Sequence, residues 1–403
     1  MMPEWLARAR HALWDDASFL TNYHLRARLP RVVCAVEAAH VPLALRAPAR
    51  ALEVRGEHGD AYTLATSFSE PRLGLFFERR LLGRHPVERA TRAADADVEA
   101  YEVPAYQRTA WARRGFFVLP LWVRQVIDLR PGTDPFRRSR HVRHRIKTIR
   151  RRGYDYELTR DRAALGEFYE RMYAPTMTAR HGAEAYLRSR RYIEHGLAHG
   201  QLLFVRRSGR RVAGVLNVFS ALDRRQVTTW AGGLLDGDLG LLRQDADSAC
   251  IYFSVRWAHE QVGCRRISLS VARPFLDDGL LSYRKHWGAH LEPESAWAGN
   301  VVALRFNRWA PAIRAALAAN PFVVSSGSGL AGVAWLSDSE RERSHELDSP
   351  GLSSLTLVTE RDRAPRATQS SQSLLELVPG REVEQLRALA RALGAATHGR
   401  SVA

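Results

Sequence analysis

The chain is 403 residues long with a mass of 45.4 kDa, enough for two or three domains at roughly 100–200 residues each. Hydrophobic residues make up 45% and charged residues 26%, a globular balance that excludes wholesale disorder. The net charge of +17 points to an anionic partner.

No apolar run approaches the roughly 18 residues a membrane-spanning helix needs, and residues 1–10 lack the apolar centre of a signal peptide. Cys34, Cys250 and Cys264 are widely spaced and form no CxxC pair. They argue against a disulfide framework or a cysteine-rich zinc site and for a reducing compartment. The expected location is the cytoplasm, with a peripheral association with the inner face of the membrane as a further option.

Residues 1–130 read as an α+β domain. Strand-like runs at 31–37, 41–45, 61–67 and 73–77 are rich in β-branched and aromatic residues and flanked by turns, with helical patches at 5–13 and 109–114. The run 116–123 reads as a buried strand leading into a linker, 128–134. Next comes a helix expected over 135–152, opened by Asp134-Pro135 and closed by Gly153. Its stretch 137–152 holds nine basic residues and no acid, so more than half of the excess charge sits on one segment. Val142, Ile146 and Ile149 form a narrow apolar stripe on it. Arg150 and Arg151 belong to the last turn, where the helix dipole favours cations; that accounts for part of the charge and leaves the rest to be explained. Lys147 and Lys285 are the two lysines among 60 basic residues.

A regular succession follows. Residues 154–158 alternate as a strand, and 161–172 and 183–197 have helical periodicity, joined by a loop over 174–182. Strands are expected at 201–207, 211–220 and 226–234, a loop at 235–245, and a long apolar helix at 247–261. A strand at 266–271, a helix at 280–287 and a hairpin-like pair at 290–297 and 300–306 close the second domain, 131–320. From 325 to 373 there are 12 serines, so 321–403 reads as a loosely packed connector ending in a helix at 382–393. Its apolar face carries Val383, Leu386, Leu389 and Leu393, suited to docking on the body or on a partner.

The order β–α–α–β–β–β–α–β–α–β–β over 154–306 resembles the GNAT acyltransferase fold, and within it the Fem-type aminoacyltransferases and FemAB-like acetyltransferase domains. The residues that carry the resemblance are Arg143-His-Arg-Ile-Lys-Thr-Ile-Arg-Arg-Arg-Gly153, Gly209-Arg-Arg-Val-Ala-Gly-Val-Leu216 and Ala258-His-Glu-Gln-Val-Gly263. Above all there is Ser270-Val-Ala-Arg-Pro-Phe-Leu-Asp-Asp-Gly-Leu-Leu-Ser-Tyr-Arg-Lys-His-Trp-Gly288. The resemblance implies an α/β (α+β) fold, a mixed sheet flanked by helices, with residues 1–130 as a degenerate first copy in a tandem. It further implies transfer of an acyl or aminoacyl group to an amine, on a cell-envelope or polysaccharide precursor for example. The donor would be acetyl-CoA or another acyl-CoA, or aminoacyl-tRNA, with no metal. In such folds neighbouring parallel strands splay and offer unpaired peptide groups to the donor; here those strands would be 226–234 and 266–271, with Trp230 and Gly232 against it.

Tyr283 stands where many members of the superfamily place the acid that protonates the leaving thiolate, a role a phenol with pKa near ~10 can fill; the competing reading is a tyrosine packed on Trp287. Asp278 is a candidate proton acceptor or, equally in keeping with its place, a helix cap. Arg273, Arg284 and Lys285 are candidate anion ligands, Arg243 a candidate donor ligand, and His181 a candidate wall of the acceptor pocket. Acetyl-CoA-using members cradle the pyrophosphate in a Q/RxxGxG/A loop at a helix N-terminus. The matching stretch, Asp236-Gly-Asp-Leu-Gly-Leu-Leu-Arg-Gln-Asp-Ala-Asp247, spaces its glycines differently and surrounds them with aspartates. The basic helix, through Arg143, Arg145, Lys147, Arg150 and Arg151, then becomes the feature that would hold tRNA or an anionic lipid. A non-catalytic module binding RNA or a lipid surface is the alternative, and an arginine-rich solvent face from GC-rich coding is the plain one.

Overall fold

The computed structural model describes residues 50–55, 61–67, 88–90, 98–136, 140–182, 187–293, 300–309, 314, 317–318, 320–327, 329–335, 344–360 and 372–395. The strand-like runs at 31–37, 41–45 and 73–77 and the patch at 5–13 lie outside them. In chain order the elements are β1 (Arg50–Arg55), β2 (Ala61–Ser67), β3 (Glu88–Ala90), β4 (Val98–Pro104), α1 (Arg108–Arg113), β5 (Phe117–Pro120), β6 (Val123–Asp128), α2 (Arg140–Arg151) and β7 (Tyr154–Thr159). Then come α3 (Arg162–Phe168), α4 (Ala174–His181), α5 (Arg190–Ala198), β8 (Gly200–Arg207), β9 (Arg210–Phe219), β10 (Gln226–Leu234), α6 (Gly240–Arg243), α7 (Ala246–Arg256) and β11 (Arg266–Ala272). The last are α8 (Gly279–His286), β12 (His290–Pro293), β13 (Asn300–Phe306), β14 (Phe322–Ser326), β15 (Gly329–Trp335), α9 (Ser344–Leu347), β16 (Leu352–Glu360), β17 (Gln372–Leu377) and α10 (Glu382–Ala395). The fold is mixed α/β, with mixed sheets flanked by helices.

The chain divides into two compact units, each discontinuous in sequence. The first comprises 1–29, 125–270 and 284–289, and the second 30–124, 271–283 and 290–403; the boundary cuts α8 between Tyr283 and Arg284.

In the first unit the strands lie in the order β6-β11-β10-β9-β8-β7. β7 to β10 are antiparallel neighbours, and β10 pairs with β11 in parallel. Leu202, Leu203, Phe204 and Val205 run along β8 without alternation, and all four are buried, because helices cover both faces. On one face, Leu165 and Phe168 of α3 and Ile193 and Leu197 of α5 join Leu202, Phe204, Leu216 and Val218 in one cluster. Each such side chain contributes about 1.5–3 kcal/mol by leaving water. The other face takes α7, where the Asn217 side-chain amide donates to the Ser254 hydroxyl at 3.0 Å. α3 runs through a π-helical turn, Tyr169–Tyr173, directly into α4. The loop expected over 174–182 is therefore a helix, since Pro175 at its start is compatible with the first turn. The helix expected over 183–197 starts later, at Arg190, where the Ser189 hydroxyl accepts from Tyr192 N.

The second unit holds a six-stranded sheet, β3-β1-β2-β4-β13-β5, and a four-stranded sheet, β14-β15-β16-β17. The expected hairpin of 290–297 and 300–306 does not form: β13 is inserted between β4 and β5, antiparallel to both. The succession β1–β2 antiparallel, β2–β4 parallel repeats that of β9, β10 and β11. The described residues of 321–403 are packed sheet and helix. Val323, Leu330, Ala334, Leu355 and Leu357 form a buried cluster, and α10 buries Leu386 and Ala390 in a second one with Phe117, Phe322 and Val324. Two of the serines bond within the sheet: the Ser353 hydroxyl donates to Leu330 O at 2.9 Å, and the Ser373 and Thr356 hydroxyls share a bond of 3.0 Å.

Candidate functional site

Two features of the first unit stand apart from ordinary packing. The first is the end of the β10–β11 pair. The parallel register runs through Gln226↔Arg266, Val227↔Ile267 and Thr228↔Ser268 and stops there, although β10 continues to Leu234 and β11 to Ala272. On the opposite edge β10 stays paired with β9, with a bulge between Thr229 and Ala231. The extra residue is Trp230. A bulge turns the strand and sharpens its twist, so β10 leaves β11 where the bulge falls. The Trp230 ring stacks on Tyr192 of α5 at 4.9 Å, and Arg188 lies over the far face of Tyr192 at 4.6 Å. Gly196 is required there, because a Cβ would run into the Trp230 ring. The Thr176 hydroxyl clamps the far end of β10, accepting from Leu234 N at 2.7 Å.

On β11 the break is sharper. Ser270 has φ of 71°, a left-handed conformation that costs a non-glycine residue about 1–2 kcal/mol, and its N–H donates to the Ser268 hydroxyl at 3.2 Å. Beyond Thr228 and Ser268 the facing peptide groups of β10 and β11 are therefore not spent on each other. The Thr229 hydroxyl donates to Ser268 O at 3.4 Å across the start of the gap, and the strand register does not resume beyond it. Gly232 is exposed on this stretch, and a Cβ there would meet nothing closer than Gly214 O at 3.7 Å. Gly233 has no such latitude: a Cβ would collide with the backbone of Met172.

The loop after β10 leads to the N-terminus of α7. Asp245 has φ of 61° and does not cap the helix with its side chain. Its carboxylate instead accepts from Arg145 at 2.9 Å and from Arg152 at 3.2 Å. Asp236 is bonded by Arg171 at 2.8 Å, and Asp238 accepts from Gly240 N at 2.7 Å. Two of the four aspartates around the glycines, Asp236 and Asp245, are thus paired with arginines. Arg243 is exposed at the end of α6, and its carbonyl accepts from Arg152 at 3.3 Å.

The second feature is a cavity of about 580 Å³ lined by Thr133–Phe136, by Arg143, Ile146, Lys147 and Arg150 of α2, by Tyr252 and Arg256 of α7, and by His259 and Glu260 beyond it. Val142, Ile146 and Ile149 are the buried residues of α2, as their spacing implies, and Ile146 also lines the cavity. Tyr252 is almost fully buried and meets Phe136 at 5.4 Å; its hydroxyl accepts from Arg150 at 3.1 Å. Glu260 is gripped by Arg256 through bonds of 2.7–3.1 Å, which hold its carboxyl below the usual range.

Of the five cations expected on a polyanion face, the structure brings together Arg143, Lys147 and Arg150. Arg145 is committed to Asp245 and Ser248, and Arg151 is exposed outside the cavity lining. Asp278 is the cap of α8, its Oδ1 accepting from Leu280 N at 2.9 Å and Leu281 N at 3.2 Å. That bonding gives it the capping role that its position also suggests. Tyr283, Arg284 and Lys285 are half-buried on α8, and Arg273 is half-buried before it. The Trp287 ring sits edge-on to Phe136 at 5.9 Å. His181 is the last residue of α4. Sequence reasoning missed Ser268, Ser270, Tyr252, Arg256 and His259. A left-handed serine leaves no trace in composition, and the last three come from a helix that reads as plain core.

No protein-family model and no curated protein matches the chain. Among solved structures, the C-terminal domain of a putative lysylphosphatidylglycerol synthetase from Agrobacterium fabrum is 12% identical, with 68% of this chain and 92% of that one covered at a TM-score of 0.34. L-PGS from Bacillus licheniformis is 12% identical over 64% of this chain and 85% of that one, TM-score 0.33. A GCN5-related N-acetyltransferase from Sphaerobacter thermophilus is 15% identical over 70% and 92%, TM-score 0.30. No helix among the described residues is long and apolar enough to cross a membrane.

Proposed function

We propose that the protein is an N-acyltransferase of GNAT type, and the observation that carries this reading is the parting of β10 and β11 after three paired residues. The acyl donor lies along the parted strands, its carbonyl held by peptide N–H groups that need no rearrangement as charge develops on the oxygen. Trp230 and Gly232 border the donor there. The amine nitrogen attacks the thioester carbon, the C–N bond forms and the C–S bond breaks. Tyr283 gives its phenolic proton to the departing thiolate, and a proton released by the amine restores the phenol. Arg273, Arg284 and Lys285 bind anionic groups of donor or acceptor, Arg243 assists at the donor loop, and His181 borders the acceptor. Asp278 acts through the helix it caps.

The donor is an acyl-CoA; the FemAB-like variant of the reading replaces it with aminoacyl-tRNA, and the pairing of Asp236 and Asp245 with arginines keeps the CoA form open. A second reading, a binding module without chemistry, draws its support from the cation-lined cavity. Thermal-shift titration of the full chain with acetyl-CoA, longer acyl-CoA and total tRNA separates these. Stabilisation by acyl-CoA that survives half-molar salt supports the enzyme. Stabilisation by tRNA alone, lost with salt, supports the binding module and removes the CoA donor.

A further inference from the structure

We infer that the cavity between α2 and the end of α7 is a binding site for a phosphate-bearing headgroup of a small ligand. Arg143, Lys147 and Arg150 fall at i, i+4 and i+7 and so share one stripe of α2. Arg256 meets them from α7, and all four line the same hollow. Of its two carboxylates, Glu260 is bonded to Arg256 and Asp134 accepts from Phe136 N at 2.9 Å. Arg143 and Lys147 make no hydrogen bond or ion pair among the described residues, so their charge is available to a ligand. Cations converging from two helices repel one another until an anion enters. A phosphate suits the opening, because its several oxygens can take an arginine fork and a lysine point charge together.

The shape selects a small headgroup over a nucleic acid. At about 580 Å³ the hollow has the size of a small-molecule site. Its benzenoid rings, Phe136 and Tyr252, are buried, which leaves the single imidazole of His259 as a face for a base rather than a row of stacking platforms. None of the lining residues belongs to β10 or β11, so the inference stands whether or not acyl transfer does.

The test is equilibrium binding of inorganic pyrophosphate, and separately of phosphatidylglycerol vesicles, to the full chain. Arg143→Ala/Lys147→Ala alters two exposed side chains, and an unchanged melting temperature verifies the fold. It should weaken pyrophosphate binding at least tenfold. Arg140→Ala/Arg162→Ala, which removes two exposed charges outside the lining, should change it less than twofold. Equal losses in the two variants would show a diffuse basic field, and no saturable binding would show no site; either result overturns the inference. Vesicle binding with the same Arg143 and Lys147 dependence identifies a lipid-borne phosphate, and its absence alongside pyrophosphate binding identifies a soluble ester. Acyl-CoA stabilisation, measured on the same variants, reports separately on the transferase reading.

Discussion

Two of the parallel pairings in this protein have opposite outcomes. In the four-stranded sheet β15 and β16 pair over six residues with one shift after Leu330, and β16 and β17 pair over six in unbroken register. In the first unit β10 and β11 separate after three. Hydrophobicity does not explain the difference, since Ile267 and Leu269 of β11 are as buried as Leu355 and Leu357 of β16. What differs is the left-handed Ser270 on β11, which the zipped strands lack; it faces a strand that bulges at Trp230 toward its other neighbour. The opening is therefore constructed at a local energetic cost, and an opening maintained at a cost is more easily understood as a site than as a packing accident.

The comparison can be broken most forcefully at the glycines. Gly233→Ala pushes a methyl group into the Met172 backbone, which cannot step aside, and should destabilise the protein by about 3 kcal/mol in urea unfolding. Gly332→Ala in the zipped sheet meets the ends of Leu355 and Leu276 side chains, which can rotate away, so its loss should be about 1 kcal/mol. Equal losses would remove the distinction between a backbone-limited and a side-chain-limited position. Should the open pair hold a thioester, Tyr283→Phe ought to lower turnover about 100-fold with acyl-CoA affinity unchanged; undiminished turnover takes the phenol out of the mechanism. Ser270→Gly relieves the left-handed strain and should raise stability by up to about 1 kcal/mol, while a loss would mean the serine side chain outweighs its backbone.

The smallest effect concerns acid. Burial, then His141, Lys285 and Arg145, lower the pKa of His286, and its ring lies 4.9 Å from that of His141. The unfolded chain then takes up the proton first. Stability is full above about pH 6.5 and declines as the pH falls through the folded value. His286→Gln should flatten that decline in melting temperature between pH 6.5 and 5.

Much of the first unit was legible in the sequence because its signals are local. β10 was expected over 226–234 and found there, and the stripe Val142, Ile146, Ile149 sits on the buried side of α2. Errors arose where tertiary context decides. Serines such as 353 and 373 suggest a loose tail by composition, yet the sheet satisfies these two hydroxyls and the leucines between them supply the core. Residues 174–181 contain a proline that looks like a break but begins a helix. The candidate site was half legible. The strands that part were named in advance, and so were three cations of the cavity. Arg256 and His259 were not, because charges on a helix whose other residues are core carry no periodic signal of their own.

The placement of β13 has a consequence for how the chain comes to be made. Residues 300–306 fill the space between strands that end by residue 120. During translation β4 and β5 must therefore wait, their edges uncovered, while nearly two hundred further residues leave the ribosome. A polypeptide halted before residue 300 would contain every catalytic candidate and still lack the seam that closes its earliest sheet, making such fragments natural clients for chaperones.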